Sequence, residues 1–246
     1  YSKEQSKAFV THIKLFTLSK KMLSKVFNLG FPSALQMFFE VAIFTAAIWL
    51  SGMLGKNPQA ANQIALNLSS MTFMVAMGLS VAAMIRVGNQ KGLKDFKALK
   101  RIAESIFFLG FIFAVVFALI FVMFHDLLPT LYVDLDNPTD ALDTAEVVKI
   151  AATLLLAAAV FQITDSLQVI VLGALRGLQD VYIPTLITFI AYWLIGFPIS
   201  YYLGKSNAYG SLGIWLGLLA GLSSAAILLY IRFQYLTKRL ILQDQN

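Results

Sequence analysis

The chain has 246 residues, 59% of them hydrophobic and 13% charged, with a mean hydropathy of +0.75. Soluble domains carry roughly twice that share of charge, so a water-soluble globular fold is excluded. The net charge of +6 is spread over connections between apolar runs, which argues against a nucleic-acid partner.

The chain opens on a basic amphipathic stretch, Lys7 to Phe27, in which Phe9, Ile13, Phe16, Met22, Leu23, Val26 and Phe27 alternate with lysines. Residues 1–28 are expected to form a cytoplasmic amphipathic linker at the inner membrane surface; a solvated linker is the alternative. There is no initiator Met and no signal-peptide layout, so the start reads as the middle of a longer protein.

Six apolar runs follow, at about 31–54, 60–87, 102–124, 147–175, 181–203 and 208–231. Each reaches the length of about 20 residues that a tilted helix needs to cross a bilayer. Short alternating segments of a β-barrel are absent. The fold class is therefore all-α: a polytopic membrane protein whose six transmembrane helices form one lobe over 29–236, with a cytoplasmic tail at 237–246.

In the first span Pro32 is expected in the first turn, where its missing N–H costs little. The second opens on an unusually polar stretch, in which Gln63 and Asn67 share a face, and is expected to end at Arg86. Gly88 and Gly92 then punctuate a basic loop. The third is almost purely apolar and suits a lipid-facing helix. A long outer loop, His125 to Asp143, leads to the fourth span, which ends at Gly173 and Arg176-Gly177. Arg176 is expected to complement the dipole at that helix end and to pair with Asp180 across Gly177. Pro198, inside the fifth span, frees a carbonyl and permits a kink. Gly213, Gly217 and Gly221 recur every fourth residue in the sixth, a small-residue face suited to close packing within the bundle.

Sixteen of the nineteen basic residues fall on one side if six helices alternate, while Lys56, Lys149 and Lys205 fall on the other. The positive-inside rule places both termini in the cytoplasm. Cysteine is absent, which excludes disulfides and thiolate metal sites, and His12 and His125 both lie outside the spans.

Glu40 and Asp165 are the formally charged side chains deep within these spans. Acids at such depth normally face a bundle interior or wet cavity on an ion, proton or substrate path. Glu40 lies nine residues past Phe31 on a helix running outward, and Asp165 eight residues before Gly173 on a helix running inward. Both come roughly 12–14 Å from the cytoplasmic end, near mid-membrane. Two carboxylates at one depth form a candidate shared cation site, holding a proton or Na⁺; no other metal site is expected. The alternative for each is a structural bond to a neighbouring hydroxyl or amide, and depth favours function. For Gln36, Gln63, Asn67, Gln162 and Gln168 the balance reverses, because amides inside bundles most often join helices.

At Phe38-Phe39-Glu40, Gln63-Ile64-Ala65-Leu66-Asn67, Gly78-Leu79-Ser80 with Arg86-Val87-Gly88, and Leu175-Arg176-Gly177 with Asp180, the chain resembles MATE (multidrug and toxic compound extrusion) transporters of the NorM-like branch. The resemblance runs from about Phe31 to Leu236 and points to the C-terminal half. It implies twelve helices in two lobes and export of cationic amphipathic compounds against inward Na⁺ or H⁺. It further implies that Glu40 and Asp165 belong to the cation site and that Gln63 and Asn67 line the drug pathway. Gln36, Phe161, Gln162 and Gln168 are lesser candidates for that pathway. Some Na⁺-coupled relatives carry Tyr where this chain has Phe161, which leaves the coupling ion open. The implied partners are membrane lipid, an N-terminal six-helix lobe and small cationic organic substrates, without a cofactor or nucleic acid. The implied location is the bacterial plasma (inner) membrane.

A lipid-linked oligosaccharide flippase is one alternative; its anionic head groups would call for buried basic residues, and no span has one at its centre. An intramembrane hydrolase is disfavoured, because no span holds His, no Gly-x-Ser-x-Gly occurs, and Asp165 has no glycine neighbour. The chain is therefore read as a non-enzyme. A channel or assembly scaffold remains the third alternative.

Overall fold

The computed structural model describes residues 19–133, 141–206 and 209–244, which form helices and their connections. The elements are α1 (Lys20–Leu54), α2 (Lys56–Leu93), α3 (Phe96–Met123), a short 3-10 helix (Leu128–Tyr132), α4 (Ala141–Gly177), α5 (Tyr182–Gly204) and α6 (Gly210–Asp244). All six long helices are apolar and long enough to cross a membrane.

Several ends lie beyond the sequence limits. Ser19 caps α1, whose helix then runs unbroken through the predicted linker boundary at residue 28. Residues 1–18, most of the predicted surface helix, lie outside the described residues. Pro32 is consequently twelve residues inside α1 and not in its first turn. Its own carbonyl accepts a bond from the Thr185 hydroxyl at 2.9 Å, which ties α1 to α5. The second helix continues through Gly88 to Leu93, closing at Lys94 in the left-handed region (φ 60°). Asp95 then caps α3, its Oδ1 accepting from the Ala98 N–H at 2.9 Å. The predicted tail is helical through Asp244, with Thr237 buried.

The bundle is organised around α4, which packs against α2, α3 and α6. Glycines set the closest approaches. A Cβ at Gly173 would come 2.2 Å from the Ser80 carbonyl oxygen, and one at Gly177 would come 2.6 Å from that of Met84. The Ser80 hydroxyl, in turn, donates to the Val169 carbonyl at 2.7 Å. The expected glycine face of α6 packs inside the bundle, against α5: a Cβ at Gly217 would meet Ser200 N at 2.2 Å, and one at Gly221 would meet Gly196 Cα at 3.0 Å. As expected, α3 exposes an apolar face, including Phe108, Phe111, Ile112 and Leu119, and buries a narrow stripe.

Within α5, Tyr182–Phe189 and Phe197–Gly204 are α-helical and the seven residues Ile190–Gly196 between them are π-helical. Pro198 sits in the first turn after the π segment, where a proline lacking its N–H is tolerated.

Candidate functional site

The membrane helix α1 packs against α2, α5 and α6 and meets α4 through side chains, Phe44 on Phe161 and Gln36 on Arg176. A cavity of about 360 Å³ opens between these elements. Its α1 wall is Met37, Glu40, Val41, Phe44 and Ile48; its α2 wall includes Gln63, Leu66, Asn67, Ser70, Phe73 and Met77; its α4 wall is Phe161, Asp165, Val169 and Arg176. Each set repeats at three and four residues and so occupies one helix face. The lining is mostly apolar, with few convergent polar groups, which is the usual character of a small-molecule site.

The two predicted acids therefore come together from α1 and α4. Asp165 is 6% exposed, and its Oδ1 has no hydrogen-bond partner among the described residues. Glu40 is close enough for its charge to act on Asp165. Among the described residues no group of three or more His, Cys, Asp or Glu is arranged to hold a metal ion.

The other pathway candidates divide. Gln63, Asn67 and Phe161 line the cavity; Gln36, Gln162 and Gln168 are buried behind its walls. Asn67 is anchored from outside, its Oδ1 accepting from the Tyr132 hydroxyl at 2.9 Å. Gln162 joins helices by accepting from the Thr72 hydroxyl at 2.8 Å. Phe161 packs edge-on against both Phe44 and Trp215. Trp215 in turn donates its indole N–H to Asn62 at 2.9 Å.

Arg176 and Asp180 do not pair. Asp180 accepts two bonds from Arg232, at 2.9 and 3.2 Å, which pins the α4–α5 turn to α6. Arg176 instead donates from Nη2 to Gln36 Oε1 at 3.0 Å and lines the same cavity as the acids. The turn after Gly177 folds back so that the Asp180 N–H bonds to the Leu175 carbonyl at 3.0 Å with its carboxylate on Arg232, whereas Arg176 sits eleven residues, about three helical turns, from Asp165 and shares its face. Arg176 thus brings a basic group to the cavity from the last turn of α4, the end at which the sequence also places it, and the acids outnumber it.

Tyr192 escaped the sequence reading. It lies in the π segment, 1% exposed, with its hydroxyl unpartnered among the described residues and within electrostatic reach of both acids. A tyrosine in mid-span, six residues before the interior Pro198, was the available signal.

A six-helix membrane bundle with paired acids on an inter-helix cavity is the architecture of a transporter lobe. The MatE family model matches residues 32–202, and the chain belongs to this family of transporters, which are not enzymes. It is 35% identical to "Probable multidrug resistance protein NorM" of Agrobacterium fabrum over 97% of this chain and 50% of that protein. It is 40% identical to "Multidrug resistance protein MdtK" of Yersinia pestis over 89% and 47% respectively. The chain thus spans about half the length of the curated relatives it matches. Among solved structures, a MATE transporter in its bent conformation superposes with a TM-score of 0.82 at 15% identity, covering 94% of this chain and 49% of that one. The eukaryotic MATE transporter AtDTX14 gives 0.77 at 22% identity, with 91% and 50% covered.

Proposed function

We propose that this chain is the C-terminal half of a secondary active multidrug antiporter, which exports cationic amphipathic compounds in exchange for Na⁺ or H⁺. It sits in the inner membrane with both ends in the cytoplasm and works together with an N-terminal six-helix lobe. The carrying observation is that Glu40 and Asp165, from different helices, open onto one apolar cavity that also exposes aromatic and methionine side chains. An acid pair there attracts either a small cation or an organic one. Gln63 and Asn67 offer hydrogen bonds along the drug path, and Phe44, Phe73 and Phe161 offer aromatic faces to a cation. Small-ion occupancy favours one packing of the lobe through its differential affinity for the two states.

The deciding experiment is efflux by the full-length protein in vesicles. Glu40→Gln and Asp165→Asn keep side-chain shape and remove charge. Each should abolish gradient-coupled efflux at near-normal expression. The double variant should be little worse than either alone, because groups acting as a unit are non-additive. Wild-type efflux and ion dependence in both single variants would overturn the reading.

A further inference from the structure

We infer that Arg176 is the resident counter-cation of the cavity, competing with the incoming small cation for Glu40. The inference rests on the proposed coupling role of Glu40 and Asp165.

The geometry has three parts. Arg176 lines the cavity on the face of α4 that carries Asp165. Its guanidinium is held by Gln36, which lies four residues, one helical turn, before Glu40 on α1. Its Nε is buried without a hydrogen-bond partner among the described residues, so the guanidinium has donor capacity left at the cavity that Glu40 also lines. Arg176 and Glu40 line the same cavity and lie within electrostatic reach of one another. A guanidinium keeps its charge at any physiological pH and offers five donors in a planar fork.

Two acids and one fixed base leave the cavity one negative charge, the complement of a single Na⁺ or proton. Gln36, a neutral amide, is the resting partner: it occupies one edge of the guanidinium without neutralising it. When the small cation holds Glu40, Arg176 rests on Gln36. When that cation departs, the same guanidinium needs to move only about one turn, some 5 Å, to replace it. Release is thereby an exchange of one positive charge for another, and Glu40 is never left bare in an apolar wall. A purely structural Arg176, a strut between α1 and α4, would affect folding but not the affinity of the site.

The test uses full-length protein in proteoliposomes, with binding of radioactive sodium at fixed pH and proton uptake read with a pH-sensitive dye. The ion whose binding is lost in Glu40→Gln is the one followed. Arg176→Gln should lower its half-saturating concentration about tenfold or more, as expected for removing a unit charge one turn away in a medium of intermediate dielectric, and should slow its release. Arg176→Lys should retain wild-type affinity. Gln36→Ala keeps the charge, removes its resting partner, and should weaken ion binding several-fold; it carries the test if Arg176→Gln fails to reach the membrane. Unchanged affinity in Arg176→Gln or in Gln36→Ala, with ion binding abolished in Glu40→Gln, would overturn this inference and leave the antiporter reading standing. Unchanged ion binding in both Glu40→Gln and Asp165→Asn would overturn the antiporter reading itself.

Discussion

Arg232 grips Asp180 with Nε and Nη2 from a position 52 residues further along the chain, and both side chains are about one-fifth exposed. A two-pronged guanidinium–carboxylate contact adds geometric specificity to its charge. Asp180→Asn should lower stability by about 1–2 kcal/mol, allowing for the partial exposure of the pair. Thermal melting in detergent would register this, and exchanging the two residues, Asp180→Arg with Arg232→Asp, should restore much of the loss. A double exchange no more stable than the single change would show that the contact contributes little. Such pairs are poorly legible in a sequence, because a nearby opposite charge is the default partner and only the α4–α5 turn decides that Arg176 faces elsewhere. The depth of Glu40 and Asp165 was legible, since an acid in an apolar run stands out without any knowledge of neighbours.

Among the elements, glycines carry the tightest geometry. Gly173→Ala and Gly217→Ala force a methyl group to within 2.2 Å of backbone atoms of Ser80 and Ser200. Overpacking of this kind costs about 1–3 kcal/mol, so both variants should melt lower and express less. Gly78→Ala is the internal control, since nothing lies within 4 Å of its would-be Cβ. It should be neutral or slightly stabilising, by up to about 1 kcal/mol, from helix propensity alone. Equal melting of all three variants would contradict the packing account. The regular glycine spacing of α6 announced its contact, whereas Gly173 and Gly177 resembled a helix end because a glycine near a basic residue is also a stop signal. Helix ends were the least legible feature: nothing in Lys20 to Asn28 disfavours helix strongly, and α2 runs on to Leu93 through Gly88 and Gly92 in spite of their low helix propensity.

At the scale of the whole molecule, the cavity borders surface that is apolar and exposed. Met37 and Val41 beside it are each 56% exposed, and Met71 and Met74 on α2 are 65% and 67% exposed. With relatives about twice as long, this side suits contact with the proposed second lobe. Residues 1–246 reconstituted alone should therefore give no gradient-driven drug efflux. Coexpression with a complementary six-helix half from a relative should restore it if the halves recognise one another. Robust efflux from the fragment alone would refute the half-transporter reading. Six spans and their grouping followed from length and apolarity, which are properties of a one-dimensional string. The cavity wall did not, because it depends on how three helices rotate about their axes.

The wide turns of α5 carry a last consequence. A π stretch holds more residues per turn than the helix on either side, so it stows an extra residue without disturbing the phase of its flanks. Removing one residue between Ile190 and Gly196 would let the segment relax to a continuous α-helix. The seven π residues and the six α residues that would replace them sweep nearly the same angle, so everything from Phe197 onward would keep its present phase. An inserted residue, in contrast, would turn the second half by about 100°, so that Ser200, whose hydroxyl now donates to the Ile214 carbonyl at 2.9 Å, would swing off the Gly213–Gly217–Gly221 groove and a bulkier neighbour would be driven into it. This span should therefore tolerate the loss of one residue within Ile190–Gly196 far better than the gain of one, a difference that a paired deletion and insertion scan across residues 186–200, scored by membrane expression, would make visible.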